Sequence, residues 1–185
     1  MIKKIRNDFA TLVLLMKEFL WLLLLSVAIF YGMGYINHSE NQIIIASFLI
    51  IFSVVKVYVL ISKTLGKMKV LIKDDYSMNH LLFFLVIIIF IINISFTLDY
   101  LCVSEIYPDS FRGLKLNQPF FFKFFDVFYF SVVTFTTVGY GDIVPAAKIV
   151  KFLTMLEMAT AFITIVFIIS RHTKNHEKSD IPPKD

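Results

Sequence analysis

The chain alternates between long apolar runs and short stretches that concentrate its charge. From Phe19 to Ile36 no residue is charged. As a helix rising about 1.5 Å per residue, this run covers about 27 Å, enough to cross the core of a bilayer. The apolar pattern extends back to Leu12 through Lys17 and Glu18, whose side chains are expected to snorkel to the headgroups. Ile43 to Ser62 is a second run, broken only by Lys56, and Leu81 to Leu98 is a third without charge. Ala147 to Ser170 is a fourth, with Lys148 and Lys151 near its start and Glu157 inside it. All four have the length of a membrane-spanning helix. The polar stretch from Arg171 to Asp185 is too short to fold as a domain and is expected to be a tail.

Basic residues orient these spans. Lys3, Lys4 and Arg6 lead; Lys63, Lys67, Lys69 and Lys73 lie between the second and third runs; Arg171, Lys174, Lys178 and Lys184 close the chain. Such clusters mark the cytoplasmic side, whereas Asn37 to Gln42 has no lysine or arginine. Both termini are therefore expected inside the cell, with an even number of spans in the plasma membrane. Arg112, Lys115, Lys123, Lys148 and Lys151 fall on the opposite side, in a region that also holds Asp99, Glu105, Asp109, Asp126 and Asp142. Met1 to Asp8 and Ser26-Val27-Ala28 resemble parts of a signal peptide, but the long first run predicts a retained helix.

Composition agrees with the pattern. With 58% hydrophobic and 17% charged residues, a chain of 185 residues carries more apolar surface than a soluble domain this size can bury. Its net charge of +4 sits at the ends of the spans, where a membrane protein places it, so no nucleic-acid partner is expected and membrane lipids are. Cys102 is the single cysteine, which excludes an intrachain disulfide and a thiolate metal site. No internal repeat is visible, and no Walker motif, metal cluster or catalytic triad, so passive transport without a cofactor is expected rather than enzymatic chemistry.

Between the third and fourth runs the chain reads Phe120 to Ser131, aromatic and apolar, then Val132-Val133-Thr134-Phe135-Thr136 and Thr137-Val138-Gly139-Tyr140-Gly141. This stretch is too short to cross twice. A re-entrant half-helix fits, capped by Asp126 and running to about Thr136, with its negative end toward a cation. A potassium ion leaving water needs its hydration oxygens replaced. Consecutive backbone carbonyls do this if the chain reaches the left-handed region, which glycine at 139 and 141 permits. The pentapeptide is the potassium-filter sequence itself, so its coordinating role is a match and not a derivation.

From Leu81 to Arg171 the chain resembles the potassium channel family, through Ser131 to Asp142 followed by Pro145. The resemblance implies an all-α membrane protein with four transmembrane helices, a re-entrant pore helix and a selectivity filter (Thr137, Val138, Gly139, Tyr140, Gly141) that binds K+, the permeant ion. It implies a homotetramer, each chain giving one filter strand. Residues 1–78 are then a peripheral transmembrane hairpin, 79–171 the pore domain and 172–185 a cytoplasmic tail. Tyr129 and Phe130 stand where the family has an aromatic pair that packs with Tyr140 around the filter, and Asp142 follows the filter. Val133 stands where some bacterial members have a glutamate, so that carboxylate contact is absent. Ala161 takes the place of a hinge glycine in the inner helix, where Phe162, Ile165 and Ile169 are expected to face the cavity and form its gate.

Ionisable groups inside the spans carry further readings. Glu157 is expected either to back the pore helix in place of the missing carboxylate, or to be neutralised by protonation or bonded to Thr154 and Thr160 on its own helix. Lys56, Lys63 and Lys67 share a helical face, but without the repeat of a voltage sensor they are expected to snorkel. His172 and His176 could sense pH near the inner mouth, though a solvated tail is the simpler reading. His38 and His80 are too isolated for a metal site. The function expected is passive potassium-selective conduction; the rivals are a weakly selective cation channel, which would alter Tyr140-Gly141, and a non-conducting modulatory subunit, against which an intact filter argues.

Overall fold

The computed structural model describes residues 17, 20–32, 38–73, 78–115 and 117–179, with side chains described for 17, 20–32, 43–63, 66, 83, 85–115 and 117–166. The elements are α1 (Leu20–Gly32), α2 (His38–Lys73), α3 (Met78–Ile106), a 3-10 turn (Pro108–Ser110), β1 (Phe111–Arg112), α4 (Phe120–Phe135), β2 (Val144–Pro145) and α5 (Lys148–Ser179). Among the described residues, three helices are long and apolar enough to cross a membrane, at Ile43–Lys63, Leu85–Ile106 and Lys148–Val166, and α1 is a shorter apolar helix.

Burial separates the three long spans. The span in α3 is 72% buried inside the chain, against 33% for α2 and 39% for α5. So α3 is the central post, with α2, α4 and α5 packed around it. Its buried face carries Ile88, Ile92, Phe96, Tyr100 and Val103, which meet Val127 and Phe130 of α4 and Val150, Leu153 and Ala161 of α5 in one core. Ile45, Leu49 and Val57 bring α2 into the same core. Phe30 of α1 packs on Phe120, at the start of α4, with ring centroids 5.9 Å apart.

Several boundaries differ from the sequence reading. Helix α3 runs past Leu98 to Ile106, so Asp99 and Glu105 belong to it and not to an outer loop. On either side of Leu98 the buried hydroxyls of Thr97 and Ser104 bond back to carbonyls of their own helix, Asn93 O and Leu101 O, so these polar residues do not interrupt it. Helix α2 already begins at His38, which shortens the expected outer connection, and continues through the basic stretch to Lys73. Helix α5 carries into the polar tail as far as Ser179 and is continuous through Ala161, which is buried. The side chains of Ile169, His172 and His176 lie outside the described residues, as do those of His38 and His80.

Candidate functional site

The re-entrant helix is longer than expected. Helix α4 starts at Phe120, directly after Pro119, rather than at Asp126. Proline fixes its own backbone and suits the edge of a helix, so no carboxylate cap is needed. Asp126 instead lies within the helix and accepts a hydrogen bond from Gln118 Nε2 at 2.8 Å. Lys123, expected on the outer side of the membrane, is buried, and its ammonium meets Glu105 of α3 at 2.6 Å, anchoring the helix start to the post.

Past Phe135 the backbone leaves the helix through a sequence of unusual dihedrals. Thr137 has φ +59, Gly139 φ +57 and Gly141 φ +82. Left-handed backbone thus recurs at every second residue, which is the alternation that turns successive carbonyls toward one side. The two glycines reach this region freely, as expected. Thr137 does not: a β-branched residue there is strained by about 1–3 kcal/mol and persists only where its surroundings hold it. The holding groups are close by. Thr137 N donates to Thr134 O at 2.9 Å, Val138 N to Val133 O at 3.0 Å and Gly139 N to Val133 O at 3.4 Å. Val133 therefore supports the filter through its carbonyl, although its side chain offers no carboxylate.

The exit is fixed from outside. Strand β1 pairs antiparallel with β2, Phe111 opposite Pro145 and Arg112 opposite Val144. Ala146 N and Ala147 N both donate to Ser110 O, at 2.8 and 3.1 Å. Gly113, at φ +86, lies so close to the post-filter segment that a Cβ there would come within 1.9 Å of the Asp142 carbonyl oxygen. The loop before the pore helix is thus fastened to the segment after the filter, a juxtaposition with no mark in the sequence beyond a glycine.

Two aromatic groups divide the work anticipated for one. Tyr129 stacks on Tyr140, centroids 6.4 Å apart and planes within 2°. Partial desolvation first, and then the neighbouring Asp142 carboxylate, hold its phenol above the ordinary tyrosine range. Phe130 turns away, edge-on to Tyr100 at 5.1 Å and to Phe111 at 5.3 Å. In a single chain Tyr140 and Val138 remain exposed, as do Phe162 and Ile165 on α5.

Behind α4, Glu157 is fully buried. Tyr100 Oη donates to its Oε2 at 2.6 Å, and Ser131 of the pore helix donates to its Oε1. Ser131 Oγ also lies 3.2 Å from Asn93 Oδ1 and 3.1 Å from Asn93 O, and with one proton it serves one acceptor at a time. Thr154 and Thr160 bond carbonyls of their own helix, Val150 O and Leu156 O, so the local alternative for Glu157 is not the one adopted. Asn93, a lone amide in an apolar run, was a readable signal; Tyr100 and Ser131 were not, being ordinary residues whose role comes from position.

Lys56 corrects the snorkelling reading. It is 1% exposed, and its ammonium contacts Asp99 Oδ2 at 2.6 Å and Ser95 O at 3.0 Å. Ser53 Oγ donates to the same Asp99 oxygen at 2.7 Å, and the rings of Phe52 and Phe96 flank the cation at 5.6 and 5.7 Å. The ammonium thus has a carboxylate, a carbonyl and two ring faces inside the chain and does not reach for headgroups. Among the described residues no group of three or more potential ligands could hold a metal ion.

Residues 80–175 match the ion channel family. The chain is 40% identical over 70 residues to a two-pore potassium channel 4 of Arabidopsis thaliana, covering 38% of this chain and 23% of that protein. It is 35% identical over 72 residues to a voltage-gated potassium channel of Aeropyrum pernix, covering 39% and 22%. The matched stretch thus spans under a quarter of either relative. No solved structure matches the chain. The family match covers more than half of the sequence, from the start of α3 through α4 and residues 137–141 into α5, in agreement with the resemblance to potassium channels drawn from residues 131–142; the chain belongs to the ion channel family.

Proposed function

We propose that the chain is the pore-forming subunit of a passive, potassium-selective channel, active as a homotetramer in the plasma membrane. The observation that carries this reading is the recurrence of left-handed backbone at Thr137, Gly139 and Gly141, inside the filter pentapeptide and at the end of a re-entrant helix. One chain supplies one strand of carbonyls, and a cage around an ion needs a closed ring of them, hence four copies about an axis. The apolar faces that one chain leaves open at Val138, Tyr140, Phe162 and Ile165 support such an assembly. The two similar potassium channels support the choice of ion.

In this reading K+ is the permeant ion, no cofactor is required, and lipids cover the outer faces. Helix α1 belongs to a fourth span whose ends, within the expected run from Phe19 to Ile36, lie outside the described residues; both termini are cytoplasmic, and residues 1–78, 79–171 and 172–185 act as hairpin, pore and tail. Tyr129 and Asp142 brace the filter from its side, Val133 O holds it from below, and Glu157 braces the pore helix from behind. Phe162 and Ile165 ring the cavity, where apolar side chains close a pore by dewetting. Ala161 keeps α5 stiff, so opening proceeds by tilt or rotation and not by a hinge.

Purified protein in liposomes tests the proposal. Potassium flux should exceed sodium flux by about a hundredfold or more, as carbonyl cages discriminate, and the particle mass in mild detergent should be that of four chains. Gly141→Ala should abolish the discrimination, since alanine at that φ displaces the outer cage. Equal fluxes of both ions through the unaltered protein would end the potassium reading.

A further inference from the structure

We propose that Asp99 and Tyr100, consecutive residues of α3, are positioning residues that tie the N-terminal hairpin to the pore helix and so set the filter's selectivity. The proposal rests on the channel reading above and assigns the hairpin a part in it. Two buried polar clusters meet at these residues. On one side Lys56 and Ser53 of α2 hold the Asp99 carboxylate, at 2.6 and 2.7 Å. On the other the Tyr100 hydroxyl donates to Glu157 of α5 at 2.6 Å, and the same carboxylate accepts from Ser131 of α4. Lys56, Asp99, Tyr100, Ser131 and Glu157 are all less than 5% exposed.

The geometry makes α3 a transmitter. Successive side chains of an α-helix point about 100° apart, so Asp99 addresses α2 while Tyr100 addresses the seam between α4 and α5. The helix backbone between them is rigid at this scale. A sliding or turning of α2 that drags Asp99 therefore moves the Tyr100 hydroxyl with it. The next link is the Glu157 carboxylate, and the last is Ser131, on the helix whose end carries Thr137. Each link is a short directional bond away from water, where bending or breaking costs most. An apolar pair in place of Lys56 and Asp99 would hold α2 to α3 about as well. What the ion pair adds is a fixed register between the two helices, which a transmitter needs and mere adhesion does not.

The test is a mutant cycle on the full-length protein in liposomes, read as the ratio of potassium to sodium flux at equal content of assembled protein. Tyr100→Phe removes the hydroxyl and keeps the ring. Lys56→Met with Asp99→Leu removes the charges as a pair. Tyr100→Phe should lower the ratio about tenfold and the paired replacement about threefold, and the triple variant should match Tyr100→Phe alone, because contacts in one network are not additive. Ser53→Ala, which deletes one hydrogen bond to Asp99, is a milder probe should the paired replacement fail to assemble, and it should lower the ratio in the same direction. A purely structural role would reduce yield and thermal stability but leave the ratio alone. A wild-type ratio in the paired or Ser53→Ala variant, or effects that multiply in the triple, would overturn the proposal. An unaltered protein that does not discriminate potassium from sodium would instead overturn the channel reading, and this proposal with it.

Discussion

From α3 to α5, directional contacts hold neighbouring segments together: β1 against β2, Gly113 against the Asp142 carbonyl, Val133 O beneath residues 137–139, and Glu157 between Tyr100 and Ser131. In the hairpin, α2 meets the core through Ile45, Leu49 and Val57, and it presents Ile43, Ile44 and Tyr58 outward, each more than two-thirds exposed. Its polar attachment to the post lies at Ser53 and Lys56. Hydrogen bonds fix distance and angle, whereas apolar contact fixes neither, so the two halves are held to different tolerances. Residues 137–141, if they are to place carbonyls around an ion as proposed above, need the first kind of restraint. A peripheral hairpin tolerates the second, except where it is pinned.

The pin is where this contrast is most easily broken. Lys56→Met alone should leave the Asp99 carboxylate buried without its cation, at a cost of about 3–5 kcal/mol, while adding Asp99→Leu should recover most of that loss. Thermal unfolding in detergent reads both. Ile43→Ala, on the exposed face of the same helix, should stay within about 0.5 kcal/mol of the unaltered protein in detergent. If Lys56→Met proved as mild as Ile43→Ala, the hairpin would be held by apolar contact alone.

A smaller effect is expected at the filter exit. Gly113→Ala sits at a φ that alanine resists, a strain of about 1–3 kcal/mol, and its Cβ also meets the Asp142 carbonyl and forces that segment to shift. Potassium flux should fall, and thermal stability with it. Gly32→Ala, in α1, meets nothing within 4 Å and should leave both nearly unchanged. Equal behaviour of the two variants would mean that the β1–β2 fastening does not restrain the filter.

The mildest change is at the inner mouth, where α5 exposes Ile165 within a single chain. Ile165→Asn should wet the constriction and raise basal potassium flux a few-fold, leaving the potassium-to-sodium ratio intact because the cages above are untouched. Liposome flux for the two ions measures both. An altered ratio would show that the inner helix and the filter are coupled more tightly than a simple apolar gate allows.

What could be read from the sequence follows from how local each feature is. The left-handed turns at Gly139 and Gly141 are dictated by the residues themselves, because only glycine reaches that backbone region at little cost. The long helices of α2, α3 and α5 follow equally from their apolar runs, since a backbone in lipid must satisfy its own hydrogen bonds. The same sequence showed Lys56 and Glu157 to be out of place in their spans, without showing what answers them. Those answers come from residues 43 and 57 positions away along the chain, Asp99 for Lys56 and Tyr100 for Glu157. The inward turn of Phe130, the close approach of Gly113 to Asp142 and the strained Thr137 were likewise decided by the packing of α3 against α4 and of β1 against β2. Local sterics and the demand for apolar surroundings are written residue by residue. Which buried polar groups meet depends on how rigid helices are stacked, and only the folded chain determines that.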